Sequence, residues 1–220
     1  MKRWWFGIVA TMVVTLSMGC QSSPEQSQAG EEEAEEVVER SAVAGDSEAV
    51  AVLAGGCFWC MQPPFDALDG VVETQVGYTG GTIDGPTYEQ VSSGQTDHVE
   101  AVEVRYDPEE VGYEEILDVF WRSIDPTDEG GQFADRGDHY RTAIFVADAR
   151  EREIAEASRE HMDEEGPFDD PIVTEIREAG DFWVAEDYHQ DYYKTNERHY
   201  RSYYEGSGRG PFLREVWGEE

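Results

Sequence analysis

A short apolar run that ends at two glycines and leads directly into a Cys-x-x-Cys pair constrains the fold of this chain more than any other feature. Residues 49–54 are all apolar and suit a buried strand, which Gly55 and Gly56 then end. From Cys57 onward, apolar side chains recur at helical spacing, which predicts a helix that begins at or just after Cys57. We therefore expect a strand-to-helix junction with Cys57 and Cys60 in the first helical turn.

The position of the two thiols indicates redox chemistry. A thiol at a helix N-terminus meets unpaired backbone N–H groups and the positive end of the helix dipole, so we expect a lowered pKa at Cys57. A structural zinc site needs four ligands, and the two cysteines supply two. Among the histidines, only His189 and His199 are spaced as a possible ligand pair, so no metal site is expected. A purely structural disulfide between Cys57 and Cys60 would close so short a loop that it would stabilise little.

The remaining patterns indicate an α+β domain. Segments in which apolar and polar residues alternate, as in strands, are interspersed with segments in which apolar residues recur at helical spacing. This order favours a two-layer arrangement with helices packed on a mixed sheet. Further strands are predicted over 71–78, 98–106, 142–147 and 172–176. Helices are predicted over 113–124 and 148–164, the latter with Asp148 as its N-cap, and a helix or loop over 185–200.

The N-terminal residues have the order of an export signal. Basic residues precede an apolar run over 4–18, which is too short for a good membrane-spanning helix and leads to Cys20. The residues before Cys20 resemble a bacterial lipoprotein processing site, with Ser17 where an aliphatic residue is usual. We therefore expect a lipoprotein-type signal peptide over 1–20 and an exported, cell-envelope protein held at the membrane only by a lipid on Cys20. The alternative is an ordinary cleaved signal in which Cys20 is incidental.

Charge and composition bound the rest of the chain. Glutamates cluster in residues 21–48, which predicts an acidic disordered tether. The chain has 49 acidic and 16 basic residues, a net charge of −33, which disfavours binding to nucleic acid or to anionic lipid surfaces. Hydrophobic residues make up 39% of the sequence and can form a packed core, so we expect residues 49–220 to fold as one domain and to be monomeric.

Spaced sequence blocks in the predicted domain resemble the peptide methionine sulfoxide reductase A family. Together they cover nearly the whole of the domain, and the resemblance implies a ferredoxin-like core. The blocks are Gly55-Gly56-Cys57-Phe58-Trp59-Cys60, Gly77-Tyr78-Thr79-Gly80-Gly81, Pro86-Thr87-Tyr88, His98-Val99-Glu100-Ala101-Val102, Phe120-Trp121 with Asp125-Pro126-Thr127, Asp135-Arg136-Gly137-Asp138-His139-Tyr140-Arg141, and Ala185-Glu186-Asp187-Tyr188-His189-Gln190.

The resemblance implies that the chain reduces the S epimer of methionine sulfoxide, free or in oxidised proteins. Cys57 would attack the sulfoxide sulfur, while Glu100 acts as the acid and the hydroxyls of Tyr88 and Tyr140 hold the oxygen. Glu100 lies on a strand of alternating apolar and polar residues, where it can be desolvated, and desolvation would raise its pKa. Without the family resemblance, the ordinary interpretation is a solvated surface carboxylate. Tyr88 and Tyr140 could equally be packing residues.

The same resemblance assigns the surroundings of the reacting atoms. Phe58 and Trp59 would form the apolar slot for the substrate methyl group, although aromatic residues are more often core. Asp135 would organise the water and substrate side of the site, or it is a turn residue. His189 would contact substrate, or it is a structural histidine. Gln62 stands where relatives commonly carry glutamate.

The resemblance also implies how Cys57 is recycled. Many relatives supply a resolving cysteine near the C-terminus, but no cysteine follows Cys60 in this sequence. Cys60 is therefore the expected resolving thiol, and a thioredoxin-like dithiol the expected reductant, with no cofactor. Two rival functions are a general Cys-x-x-Cys disulfide oxidoreductase, which leaves Tyr88, Glu100 and Tyr140 unexplained, and a lipoprotein that only binds a partner through its acidic surface.

Overall fold

The computed structural model describes residues 48–218, which are built around a six-stranded sheet and a separate two-stranded hairpin. The strands are β1 Ala49–Gly55, β2 Val71–Thr79, β3 Val99–Tyr106, β4 Gly131–Gln132, β5 Asp135–Arg136, β6 Thr142–Val146, β7 Glu175–Glu178 and β8 Trp183–Val184. The helices are α1 Phe58–Asp66, α2 Tyr88–Ser92, α3 Tyr113–Trp121, α4 Ala149–Glu165, α5 Tyr192–Thr195, α6 Glu197–Gly206 and α7 Arg209–Trp217. Two 3-10 turns, Asp138–Tyr140 and Asp187–His189, complete the elements.

The sheet order is β7-β6-β1-β3-β2-β8, and β4 pairs with β5 in the hairpin. Strand β1 runs antiparallel to both β3 and β6, and β2 runs antiparallel to β3. The succession β1-α1-β2-β3-α3-β6, with the spatial order β6-β1-β3-β2, is the ferredoxin-like arrangement. Strand β7 adds a parallel edge beside β6, and β8 an antiparallel edge beside β2. The predicted α+β fold with a mixed sheet is therefore confirmed.

The main core lies between one face of the sheet and helices α1, α3 and α4. Alternate residues of the central strands point into it because successive strand side chains face opposite sides of a sheet. Leu53, Val102 and Ile144 are examples that are fully buried. Each such aliphatic side chain contributes about 1.5–3 kcal/mol to folding. Helix α3 contributes its predicted apolar face, with Ile116, Leu117, Phe120 and Trp121 buried.

Local sequence signals place several elements correctly. The Asp148 carboxylate caps α4, since its Oδ1 accepts from the backbone N–H groups of Arg150 at 2.8 Å and Glu151 at 2.9 Å. The strand predicted over 172–176 is displaced. It lies at Glu175–Glu178, because the parallel register with β6 pairs Ala143 with Glu175.

Helix α1 contains Pro63 and Pro64 and continues through them to Asp66. The segment predicted as one helix or loop over 185–200 divides into a 3-10 turn and short helices, and the C-terminal helix α7 was not predicted.

The predicted signal peptide over 1–20, the lipidation site at Cys20 and nearly all of the predicted tether over 21–48 lie outside the described residues. Within residues 48–218, no helix is both long enough and apolar enough to cross a bilayer.

Candidate active site

The two glycines before the thiols are required by close packing. A side chain at Gly55 would place its Cβ 2.5 Å from the sulfur of Met61. Gly56 has a φ of +80°, and a Cβ there would lie 2.5 Å from Gln132 and 2.9 Å from the guanidinium of Arg209. The end of β1 can therefore approach α1 and the C-terminal helix closely, and Cys57 becomes the N-cap residue of α1.

Cys57 and Cys60 are free thiols, and both are buried. The Cys60 N–H donates to the Cys57 carbonyl at 3.0 Å, and the two side chains are hydrogen-bonded to each other. Burial, which leaves 5% of Cys57 exposed, raises the pKa of its thiol well above the usual value, and the neighbouring Cys60 and Asp135 raise it further. The predicted lowering of the Cys57 pKa is therefore wrong for the substrate-free site, because desolvation outweighs the helix N-terminus.

Glu100 is the buried acid of the site. Its side chain comes from β3, it is 2% exposed, and its Oε2 accepts a 3.0 Å hydrogen bond from the Phe58 N–H in the first turn of α1. Burial raises the pKa of Glu100 well above its usual value, and the charge of Cys57 raises it further. Glu100 therefore holds a proton at pH values where a solvated glutamate is ionised.

Tyr88 and Tyr140 bring neutral hydroxyls to the same place from different elements. Tyr88 is the first residue of α2, which Thr87 begins with a capping box, and Tyr140 ends a 3-10 turn. Burial, followed by the charges of Glu100 and Cys57, raises the pKa of Tyr88 to about 12 and raises that of Tyr140 further. Glu100, Tyr88 and Tyr140 are called the acid side of the site below.

Aromatic rings form the wall next to the thiols. The Trp59 Nε1–H donates to His189 Nδ1 at 3.1 Å, and the Trp59 ring stacks on Tyr192 with centroids 4.0 Å apart. The His189 ring also lies 5.0 Å from that of Phe58 and 4.5 Å from that of Tyr88. Phe58 is fully buried, whereas Trp59 is only partly buried. His189 thus orients Trp59, and its own burial lowers its pKa.

A second group of residues near the thiols carries charge. Asp135 lies in the β4–β5 hairpin and accepts a hydrogen bond from the hydroxyl of Tyr203 on α6. The hydroxyl of Tyr203 also favours the Cys57 thiolate, whereas the charge of Asp135 disfavours it. The guanidinium of Arg209, from α7, favours the thiolate of Cys60. Cys60, Asp135, Tyr203 and Arg209 are called the resolving side below.

The family comparison decides what this arrangement is. The family model described as peptide methionine sulfoxide reductase matches residues 49–220. The chain belongs to this family. Membership confirms the resemblance drawn from the sequence blocks and makes the chain a thiol-dependent methionine sulfoxide reductase, so neither rival function explains the match.

Curated relatives and solved structures agree with this membership. Peptide methionine sulfoxide reductase MsrA of Bacillus subtilis strain 168 is 51% identical over 173 residues, which are 79% of this chain and 98% of that protein. The MsrA of Bacillus pumilus is 49% identical over 175 residues, 80% of this chain and 98% of that protein.

Two solved structures share the fold. The reduced form of Mxr1 from Saccharomyces cerevisiae aligns with a TM-score of 0.63 at 32% identity, over 69% of this chain and 87% of that one. Methionine sulfoxide reductase A of Corynebacterium diphtheriae aligns with a TM-score of 0.61 at 34% identity, over 70% of this chain and 77% of that one.

Sequence reasoning did not assign several residues that support the reductase site. Glu186 accepts from the Tyr88 N–H and from the Tyr78 hydroxyl, both at 2.9 Å, and so fixes the start of α2. Glu186 lies within one of the sequence blocks that resemble the family, so the resemblance could have identified it. Tyr203 and Arg209 lie outside every block. The only signal for Tyr203 is the helical spacing of tyrosines along α6.

Gln62, where the sequence departs from the family pattern, has a structural role in this reductase. Its Nε2 donates to the Thr74 hydroxyl at 3.1 Å, and its Oε1 accepts from the Asp191 N–H at 3.0 Å. Gln62 therefore ties α1 to β2 and to the start of α5. Across residues 48–218, no group of three or more histidine, cysteine or acidic residues is arranged to hold a metal ion.

Proposed function

We propose that this chain reduces the S epimer of methionine sulfoxide, in proteins or as the free amino acid, at Cys57, with Cys60 as the resolving thiol and a thioredoxin-like dithiol as the reductant. The observation that carries the proposal is the pairing of a buried, proton-holding Glu100 with Cys57. Glu100 is bonded to the N–H of the residue that follows Cys57, so the acid and the thiol are held together.

The first step needs both a proton and a nucleophile. A sulfoxide sulfur becomes a good electrophile when its oxygen is protonated, and Glu100 supplies that proton while Tyr88 and Tyr140 donate hydrogen bonds to the oxygen. The Cys57 sulfur attacks, the sulfoxide S–O bond breaks, and the oxygen is transferred to Cys57 as a sulfenic acid. Glu100 recovers the proton that the thiol loses. Methionine leaves, and Cys57 has given up two electrons.

The second step converts the sulfenic acid of Cys57 into a disulfide. Cys60 attacks the sulfenic sulfur of Cys57, which forms the Cys57–Cys60 disulfide and releases water. The side-chain hydrogen bond between the two cysteines, which lowers the pKa of Cys60, supports this assignment. An external dithiol then reduces the disulfide by thiol exchange and is itself oxidised to a disulfide.

We infer the cellular location from the sequence alone. A basic start, an apolar run and Cys20 support export to the cell envelope with a lipid on Cys20 as the only membrane attachment. Mass spectrometry of the mature N-terminus tests this: an acylated Cys20 is expected, and an unmodified N-terminus elsewhere would contradict the anchor.

A chiral assay tests the activity. The protein is incubated with each epimer of a peptide methionine sulfoxide and either dithiothreitol or thioredoxin with its reductase. Loss of the S epimer alone is expected, and loss of both epimers or of neither would contradict the proposal. Reduction of insulin disulfides in the same preparation measures the rival oxidoreductase activity.

A variant of Cys60 tests its role as the resolving thiol. Cys60→Ser is expected to release a single equivalent of methionine per enzyme and then stop with thioredoxin as the reductant. Unchanged turnover with thioredoxin would show that another thiol resolves Cys57. Ser93→Ala, an exposed position at the end of α2, is the matched control and is expected to turn over normally.

A further inference from the structure

The guanidinium of Arg209 is buried directly behind the first turn of α1. Arg209 is 1% exposed, although it is the first residue of the C-terminal helix α7. Its Nη2 donates to the Gly55 carbonyl at 2.8 Å, and its Nη1 donates to the Ser123 carbonyl at 2.5 Å. Nη1 also contacts the sulfur of Met61 at 3.6 Å. The cation therefore reaches from the end of β1 to the residue that follows Cys60.

All of these partners are uncharged. The guanidinium also lies over the ring of Phe133, whose centroid is 4.7 Å away. Among residues 48–218, no carboxylate is hydrogen-bonded to Arg209 or within ion-pair distance of it. A buried charge is costly unless an anion offsets it, so the site favours the formation of an anion beside this cation.

We propose that Arg209 is a positioning residue for the second half-reaction, in which its buried charge holds Cys60 as the thiolate that attacks the Cys57 sulfenic acid. This inference rests on the proposed function. The thiolate of Cys60 forms the new S–S bond, the S–O bond of the sulfenic acid breaks, and the departing hydroxide takes up the proton that Cys60 released, which gives water. A thiolate attacks sulfur far faster than a thiol does, so the charge sets the rate of this step.

The groups that face Cys60 agree with this role. The hydrogen bond from Cys57 lowers the pKa of Cys60, burial raises it, the charge of Arg209 lowers it, and Asp135 and Glu100 raise it. The hydroxyls of Tyr200, Tyr203 and Tyr204 face the same thiol and stay neutral, since burial raises their pKa values. Among the charged groups that act on Cys60, Arg209 is thus the cation, and it opposes the carboxylate of Asp135.

A single turnover without external reductant tests the proposal. The full-length protein is mixed with an S-sulfoxide peptide, quenched in acid, alkylated, and analysed for released methionine and for the Cys57–Cys60 disulfide across a pH series. Arg209→Gln keeps hydrogen-bond donors but removes the charge, and Arg209→Lys keeps the charge. For Arg209→Gln, we expect the pH midpoint of disulfide formation to rise by about one unit, equal to about a tenfold slower step below the midpoint.

The conservative variant separates charge from structure. Arg209→Lys is expected to keep a midpoint near that of the wild type, whereas a purely structural role would affect both variants alike without moving the midpoint. Arg214→Gln on the same helix removes an exposed partner of Glu205 and is the matched control, with a wild-type midpoint. Equal midpoints in wild type and Arg209→Gln would overturn the inference. A wild-type protein that releases no methionine would instead overturn the proposed function.

A measurement without any change at Arg209 covers the case in which its variants do not fold. In full-length Cys57→Ser protein carrying ¹³C-labelled cysteine, the Cys60 carbon shift is followed against pH. We expect the midpoint to lie below about 8.5, the ordinary pKa of a cysteine. A midpoint at or above that value would overturn the inference.

Discussion

The acid side and the resolving side flank the same thiol but differ in charge. On the acid side Glu100, Tyr88 and Tyr140 are all protonated groups, because burial raises each of their pKa values. The resolving side holds a buried guanidinium and the carboxylate of Asp135. Loss of the sulfoxide oxygen needs proton donors, whereas disulfide formation needs a thiolate. The difference shows how two half-reactions with opposite requirements can share Cys57.

The largest expected effect comes from removing the Cys57 sulfur, which reacts in both half-reactions. Cys57→Ser should lower kcat/KM by about 10⁴-fold or more, because a serine hydroxyl is a far weaker nucleophile toward sulfur. Methionine release measured by mass spectrometry checks this, and Cys60→Ser is the control that keeps the first step. Measurable multiple turnover by Cys57→Ser would mean that the nucleophile has been wrongly assigned.

Next in size is the acid itself. Glu100→Gln removes the proton but can still accept from the Phe58 N–H, so kcat/KM should fall by about 10²–10⁴-fold while disulfide formation from preformed sulfenic acid persists. Glu103→Gln, a half-buried position on the same strand, is the matched control. A loss in the control as large as that in Glu100→Gln would argue against a specific acid.

The pH dependence of Glu100 gives a check on stability. Its folded pKa is raised, so its contribution to folding is fully present below the unfolded pKa and is lost as pH rises through the folded pKa. Relative to wild type, Glu100→Gln should therefore gain stability as the solution becomes more alkaline. Denaturant unfolding of both proteins across pH measures this, and a difference independent of pH would refute a raised pKa.

A smaller effect is expected from one oxygen-binding hydroxyl. Tyr140→Phe should lower kcat by about 10–100-fold, since Tyr88 still donates to the oxygen. Tyr113→Phe removes a buried hydroxyl in α3, where it has no hydrogen-bond partner among the described residues, and should leave kcat unchanged. Steady-state kinetics with the S epimer distinguish the two, and equal rates for both variants would remove Tyr140 from the acid side.

The smallest effect should come from the boundary between the two sides. Tyr203→Phe removes a hydroxyl that favours the Cys57 thiolate, so the pKa of Cys57 should rise further and the first step should slow by about threefold to tenfold near neutral pH. The pH–rate profile of methionine release should shift to higher pH. An unshifted profile with only a lower plateau would indicate a positional rather than an electrostatic role.

The two sides also differ in how far the sequence predicts them. Local signals predicted the strand-to-helix junction, β3 and the cap of α4, and spaced blocks pointed to Glu100, Tyr88 and Tyr140. Arg209 carried no such signal, because its contact with Gly55 joins positions 154 residues apart. The pKa of Cys57 was misjudged for a related reason: helix position is a local property, whereas burial is set by the packing of distant segments.

The docking of Arg209 behind α1 has a consequence for how the enzyme matures. The guanidinium meets the Gly55 carbonyl across 154 residues of sequence, so this contact carries a large loop-closure cost. Until α7 docks, the thiols lack the cation that lies behind α1. A nascent chain that stalls before α7 would carry a complete Gly-Gly-Cys-Phe-Trp-Cys sequence without a competent catalyst.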